Sequence, residues 1–160
     1  MGLDKSPKNP TFEMLSEKAG GNRQPYYKIM FFLNKKPDIS DEDFHKHWEM
    51  VHADLTVATK AFRDVSILRY VQYHQTTEIK TEASSLGLTC LPYDGCTEMY
   101  VKDLNDWKSF TDSPEFKSVL ASDSRRFIGQ ASVMVGYESV IYGDAIPSLG
   151  GKDGVSRSDL

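Results

Sequence analysis

Residues Ser40 to Leu55, SDEDFHKHWEMVHADL, hold the start and the apolar face of one amphipathic helix. Ser40 is the expected N-cap, Asp43 stands at the capping-box position in place of the usual Glu or Gln, and Ile39 and Phe44 are spaced as a hydrophobic staple. At about 100° per residue, Phe44, Trp48, Val51, Leu55 and Phe62 share one face, and His52 falls roughly 80° from its centre. An ionisable imidazole one turn beyond an indole, at the border of an apolar face, is where proton chemistry is expected.

The flanking sequence supplies strands. YYKIMFFLNKK (26–36) is apolar on both faces, as a strand covered on both sides would be. ILRYVQYHQ (67–75) reads as a second strand, and Asp94-Gly95 turns the chain into a third, CTEMYV (96–101). The connection from Thr76 to Tyr93 is long for a hairpin and reads as a lid or a flexible insertion. A helix in two parts follows, LNDWKSF and then SPEFKSVLASDSRRF with Ser113 as N-cap and Pro114 at the first helical position. ASVMVGYESVIY (131–142) is the fourth strand.

The order βαββαβ predicts an α+β, ferredoxin-like sandwich. Two helices cover one face of such a sheet, and the apolar character of both strand faces calls for a cover on the other. A homodimer whose two sheets close into an α/β barrel provides it. The domain is expected over 25–143, between a flexible polar arm (1–24) and a flexible Gly-rich tail (144–160).

Composition narrows the function. In 160 residues the formal net charge is -4, with no basic stripe for phosphate contacts, which argues against nucleic acid. No apolar run approaches the about 20 residues of a membrane span, and MGLDKSPKNP carries charges where a signal peptide is apolar. A cytoplasmic protein with no membrane partner is expected. Cys90 and Cys96 lack Cys-x-x-Cys spacing, so neither a disulfide framework nor a structural zinc site is indicated.

KIMFFLNKK, FHKHWEMVHADL with its W-x-x-x-H-A core, YDGCTEMYV and SDSRRFI resemble the EthD-domain family of the dimeric α/β-barrel superfamily, in register over about Tyr26 to Tyr142. They are most similar to fungal members encoded beside polyketide synthases of anthraquinone-type pathways, some described as decarboxylases. The resemblance implies a homodimeric, cofactor-free lyase that decarboxylates an aromatic polyketide acid. A cofactor-independent monooxygenase, a cyclase or dehydratase, and a non-catalytic polyphenol-binding protein are the alternatives. Many relatives have Pro after the His-Ala pair where this chain has Asp54, so the helix is expected to run on without a kink.

Strand parity yields a candidate pocket. If even-numbered residues face the barrel lumen, Tyr70, Gln72 and His74 join Lys28, Met30 and Phe32, together with Cys96, Glu98 and Tyr100. His52 would be the acid, Tyr100 or His74 the oxyanion donor, and Glu98 or Asp94 the orienting carboxylate, with Trp48 and the remaining lumen residues holding substrate. Neither metal nor organic cofactor is required. His45 and His52 lie two turns, about 10 Å, apart, too far to share a metal, and His45 and His47 are expected to face solvent or support the helix. Glu98 on a covered face calls for a partner such as Lys28 or Arg69. Arg125 and Arg126 complement the helix dipole, and Cys96 reads as a packing residue.

Overall fold

The computed structural model describes residues 10–160, which fall into two compact units, 27–136 and the segments 10–26 plus 137–160. The arm expected over 1–24 lies partly on residues 1–9, outside the described residues. In the smaller unit the buried Asn22 amide donates to the carbonyls of Val140, Lys152 and Asp153 at 2.9 Å each. Gln24, buried beside it, donates to the carbonyls of Asn22 and Lys152.

The larger unit is a ferredoxin-like α+β sandwich. Strands β1 (Tyr27–Lys35), β2 (Ile67–His74), β3 (Gly95–Val101) and β4 (Ile128–Gly136) form one sheet in the order β2-β3-β1-β4, every neighbour antiparallel. The fourth strand ends at Gly136, six residues before the expected Tyr142, and its last pair with β1 is Lys28–Gly136.

The first helical layer begins where its signals place it. In α1 (Asp41–Lys46), Ser40 Oγ accepts from the Asp43 amide and donates to the Asp43 carboxylate. The helix then widens into a π turn over His47–His52 and returns to α-helix as α2 (Ala53–Ala58), followed by α3 (Lys60–Asp64), capped by Thr59. The connection read as a lid or a flexible insertion contains a helix, α4 (Thr77–Ser85), with Thr76 as its N-cap. The second layer is α5 (Leu104–Asp112), then a π turn over Phe116–Leu120 and α6 (Ala121–Phe127). Ser113 Oγ accepts from the Phe116 amide, as its position before Pro114 predicts.

The core lies between helices and sheet. Phe44, Trp48, Leu33 and Phe127 form one buried cluster, and Ile29, Met99 and Val101 form another. Trp48 is fully buried and lies over Gly95, where an added Cβ would press into the indole and the Tyr73 carbonyl. Gly95 is what lets the helix approach β3 so closely.

Candidate active site between the sheet and the helices

The π turn builds the site. Its Ala53 amide donates to the Trp48 carbonyl, five residues back, so each turn holds more than the usual 3.6 residues. In an ideal α-helix, residues five apart point about 140° away from each other. In the wider turn His47 and His52 reach the same carboxylate. His47 Nε2 lies 3.0 Å from Asp123 Oδ1, and His52 Nδ1 lies 2.9 Å from Asp123 Oδ2. The same widening keeps Phe44, Trp48, His52 and Thr56 on the inner face and turns Val51 out to solvent, a correction to the stripe expected from ideal helical geometry.

Asp123 sits on α6 and is buried. Burial alone would raise its carboxyl, but the hydrogen bonds from His52 and His47 outweigh that and hold it below the usual carboxylate range. The ionised carboxylate only accepts, so His52 carries its proton on Nδ1. Burial lowers the His52 imidazole from its ordinary value, against the opposing pull of Asp123. The resting ring is therefore neutral near pH 7, with an unshared electron pair on Nε2.

His52 lines a cavity of about 150 Å³ between sheet and helices. Its walls are mainly apolar, with Phe31, Trp48, Trp107, Phe110 and Phe116 as the aromatic part. Its polar groups are His52, Thr56, Tyr70 and Thr97, and among the described residues lining it none is Lys or Arg. Apolar cavities of this size accommodate a single benzene-sized ring. Tyr70 brings its hydroxyl to this wall, where Gln72 Nε2 donates to it at 2.6 Å. Burial raises the Tyr70 phenol above its ordinary value, with the bonds from Gln72 and Thr56 opposing, so it is a neutral proton donor.

The expected lumen set divides between two faces. Register pairs Lys28 with Tyr100, Met30 with Glu98 and Phe32 with Cys96, so those residues share the sheet face away from the cavity. There Lys28 Nζ meets Glu98 Oε2 at 2.9 Å, the Tyr100 hydroxyl donates to the same carboxylate at 3.1 Å, and Phe32 packs on Tyr93. Tyr70, Gln72 and His74 lie on the other face, opposite Met99, Thr97 and Gly95. The reason is a bulge between Ile67 and Arg69 that shifts the β2–β3 register by one residue, so even positions of β2 meet odd positions of β3.

Three other expectations are corrected. Asp94 does not orient His52; it binds Lys80 Nζ at 2.8 Å and the Lys35 amide at 2.9 Å. His45 does not face solvent: it is buried, with Nδ1 2.8 Å from His74 Nδ1. The stretch Thr76 to Tyr93, read as a lid or a flexible insertion, carries the helix α4 in its first half. Of the expected site residues, Trp48, His52 and Tyr70 line the cavity, while Gln72 and His74 stand behind Tyr70. Glu98 does take the expected partner Lys28, and burial pushes the Cys96 thiol up to about 11, as suits a packing residue.

Sequence reasoning passed over Asp123 and Thr56. The SDSRRFI segment contained the signal for the first, a carboxylate on the inner side of a helix ending in two arginines, but nothing local tied it to His52. Among the described residues, no group of three or more His, Cys, Asp or Glu side chains is arranged to hold a metal ion. No helix among them is long and apolar enough to cross a membrane.

Comparison with known proteins places these residues in context. The model of the EthD domain matches residues 36–131, which span the π turn, strands β2 and β3 and Asp123. The chain is similar to Decarboxylase claH of Passalora fulva, with 27% identity over 117 residues, 70% of this chain and 75% of that protein. It is also similar to Dehydratase aurZ of Gibberella zeae, with 27% identity over 152 residues, 89% of this chain and 98% of that protein. Among solved structures, a dimeric protein of unknown function and ferredoxin-like fold from Bacteroides fragilis superposes with a TM-score of 0.52 at 13% identity, over 72% of this chain and 99% of that one.

Proposed function

This chain belongs to the EthD domain family, and from that premise we propose that it is a cofactor-free lyase tailoring an aromatic polyketide, with His52 as base and Tyr70 as acid. The reading that the geometry favours is dehydration. The observation that carries it is the 2.9 Å bond from His52 Nδ1–H to Asp123, which leaves a neutral imidazole with its electron pair on Nε2. A neutral imidazole held this way is a resting base.

In the proposed reaction His52 Nε2 removes a proton from the carbon beside a ring ketone, and the electron pair moves to the carbonyl as an enolate. The enolate collapses, the carbon–oxygen bond to the β-hydroxyl breaks, and Tyr70 supplies the proton with which water leaves. The imidazolium then returns its proton to the Tyr70 phenolate, directly or through an intervening water. Aromatisation of the new ring drives the step, and the aromatic walls suit a planar product. The cavity volume suits the ring undergoing reaction, with the rest of a larger substrate extending toward the mouth.

Decarboxylation is the second reading, and one observation favours it. A carboxylate carried into a cavity without Lys or Arg in its lining loses hydration and gains no ion pair, which destabilises it relative to carbon dioxide. The resulting enolate would be protonated on carbon, and this needs His52 in its acid form. The names of the relatives, a decarboxylase and a dehydratase, accommodate either product.

The protein is also proposed to work as a homodimer through the sheet face that bears Lys28, Glu98 and Tyr100. Tyr73 and Met134 are 67% and 54% exposed on that face, and the similar Bacteroides fragilis protein is described as dimeric.

One experiment tests the chemistry. Wild type and His52→Ala are incubated with a polycyclic β-hydroxy ketone and, separately, with the matching β-keto acid, following water loss by mass and carbon dioxide release. Water loss that needs His52 supports dehydration. Carbon dioxide release that needs His52, without water loss, replaces it with decarboxylation. Neither product from wild type sinks the lyase reading.

A further inference from the structure

Behind Tyr70, away from the cavity, runs a chain of buried polar side chains that the proposed chemistry has not used. Gln72 Nε2 donates to the Tyr70 hydroxyl at 2.6 Å and to the Trp48 carbonyl at 2.9 Å. The carbonyl oxygen of Trp48 can only accept, which fixes the orientation of the Gln72 amide and turns its Oε1 toward His74 Nε2, 3.2 Å away. His74 must therefore carry its proton on Nε2. Its Nδ1 then accepts from His45 Nδ1, 2.8 Å distant, since two N–H groups cannot face each other at that separation.

The hydrogen-bonded chain ends at His45. His45 Nε2 and Asp41 Oδ1 lie 3.7 Å apart, and both are buried with no hydrogen-bond partner among the described residues. Asp41 Oδ2 accepts the Thr77 amide at the start of α4, which ties α1 to α4 beside the chain. Trp48 stacks against His74, with ring centroids 4.5 Å apart, and limits its rotation.

We propose that His74 is a positioning residue for Tyr70: together with the Trp48 carbonyl it holds the Gln72 amide so that the Tyr70 oxygen accepts on one side, which directs the hydroxyl proton away from Gln72, toward the cavity. This deepens the proposed function and rests on its assignment of Tyr70 as the acid. Without His74, only the Trp48 carbonyl opposes a turn of the Gln72 amide that would set Oε1 against Tyr70 and take that proton. His74 then acts on the reaction without touching the substrate, in place of the oxyanion-donor role expected of it.

The test separates the chain from the reaction. Protein labelled with carbon-13 at the tyrosine ζ carbon is titrated by NMR, the Tyr70 signal being the one missing from Tyr70→Phe. Wild type, His74→Phe and His74→Gln are compared, and turnover is measured on the substrate that wild type consumes. In His74→Phe the phenol loses a donated bond that favours its ionised form, so its pKa should rise by about half a unit to one unit. The rate constant kcat should fall about tenfold with little change in KM. His74→Gln, whose amide can donate to Gln72, should restore both. An unmoved Tyr70 pKa in His74→Phe overturns the proposal, whatever the turnover. A shifted pKa with unchanged turnover removes Tyr70 as the acid, and with it the positioning role of His74.

Discussion

His52 and Asp123, 71 residues apart in the chain, meet at 2.9 Å in the buried layer between the two helices. The contact decides which nitrogen of His52 faces substrate. Asp123→Asn preserves the shape but presents an amide that can donate to Nδ1, which would move the imidazole proton to Nε2 and remove the base. The expected loss is about 100-fold or more in kcat, the range typical of a general base. His47→Ala should cost less, because Asp123 keeps its bond to His52. Equal losses in the two variants would point to a purely structural role for the cluster.

Acid sensitivity follows from the same burial. His45, His52 and His74 are each lowered from the ordinary imidazole value, with burial as the largest cause. His45 is also faced by Asp41, Asp94, Lys80 and Glu49. In the unfolded chain these rings take up protons below about pH 6.5, while in the folded protein they resist doing so until lower pH. Between the two, the unfolded state binds more protons, so stability rises with pH and is lost as pH falls. The lowered Asp123 acts in the same direction, losing its contribution as pH falls toward its folded value. The melting temperature should be level above about pH 6.5 and decline below it. A protein that melts higher at pH 5 than at pH 7.5 would contradict this reading.

What could be read in the sequence was local. Ser40 with Ile39 and Phe44, and Ser113 with Pro114, mark helix starts by interactions within five residues, and both helices begin there. The βαββαβ order follows from runs of the right length. The misplaced features depend on something the local pattern does not encode. The π turn changes the angular step that put His52 at a border, and the bulge after Ile67 reverses the parity of Tyr70, Gln72 and His74. The bond to Asp123 depends on the packing of two distant helices. Only α4 was within reach, since Thr76 precedes TEIKTEASS, a run containing Glu, Lys and Ala.

Gly95 tests how closely the helix must approach the sheet. A Cβ there meets the Trp48 indole and lies 2.8 Å from the Tyr73 carbonyl, and the indole, being fully buried, has nowhere to move. Gly95→Ala should destabilise the fold by about 1–3 kcal/mol, as overpacked cores do, with a fall in melting temperature of several degrees. Because Trp48 also lines the cavity, KM should rise in the same variant. An unchanged melting temperature would mean that Trp48 is less tightly held than its burial indicates.

The proposed dimer makes a prediction that is independent of the chemistry. Tyr73 and Met134 stand on the sheet face away from the helices, one on an edge strand at each side of the sheet, and both are largely exposed. Sheets that leave apolar side chains on a bare face bury them against a partner, and two copies related by a twofold axis would present the same residues to each other. Tyr73→Lys combined with Met134→Lys places like charges across that axis and should convert a dimer to a monomer by sedimentation. The cavity should survive, because its strand residues lie on the opposite face of the sheet from Tyr73 and Met134. A wild-type protein that sediments as a monomer at every concentration sinks the dimer. A monomeric double variant that keeps its binding of a planar aromatic probe would establish that the second copy covers the sheet without completing the site.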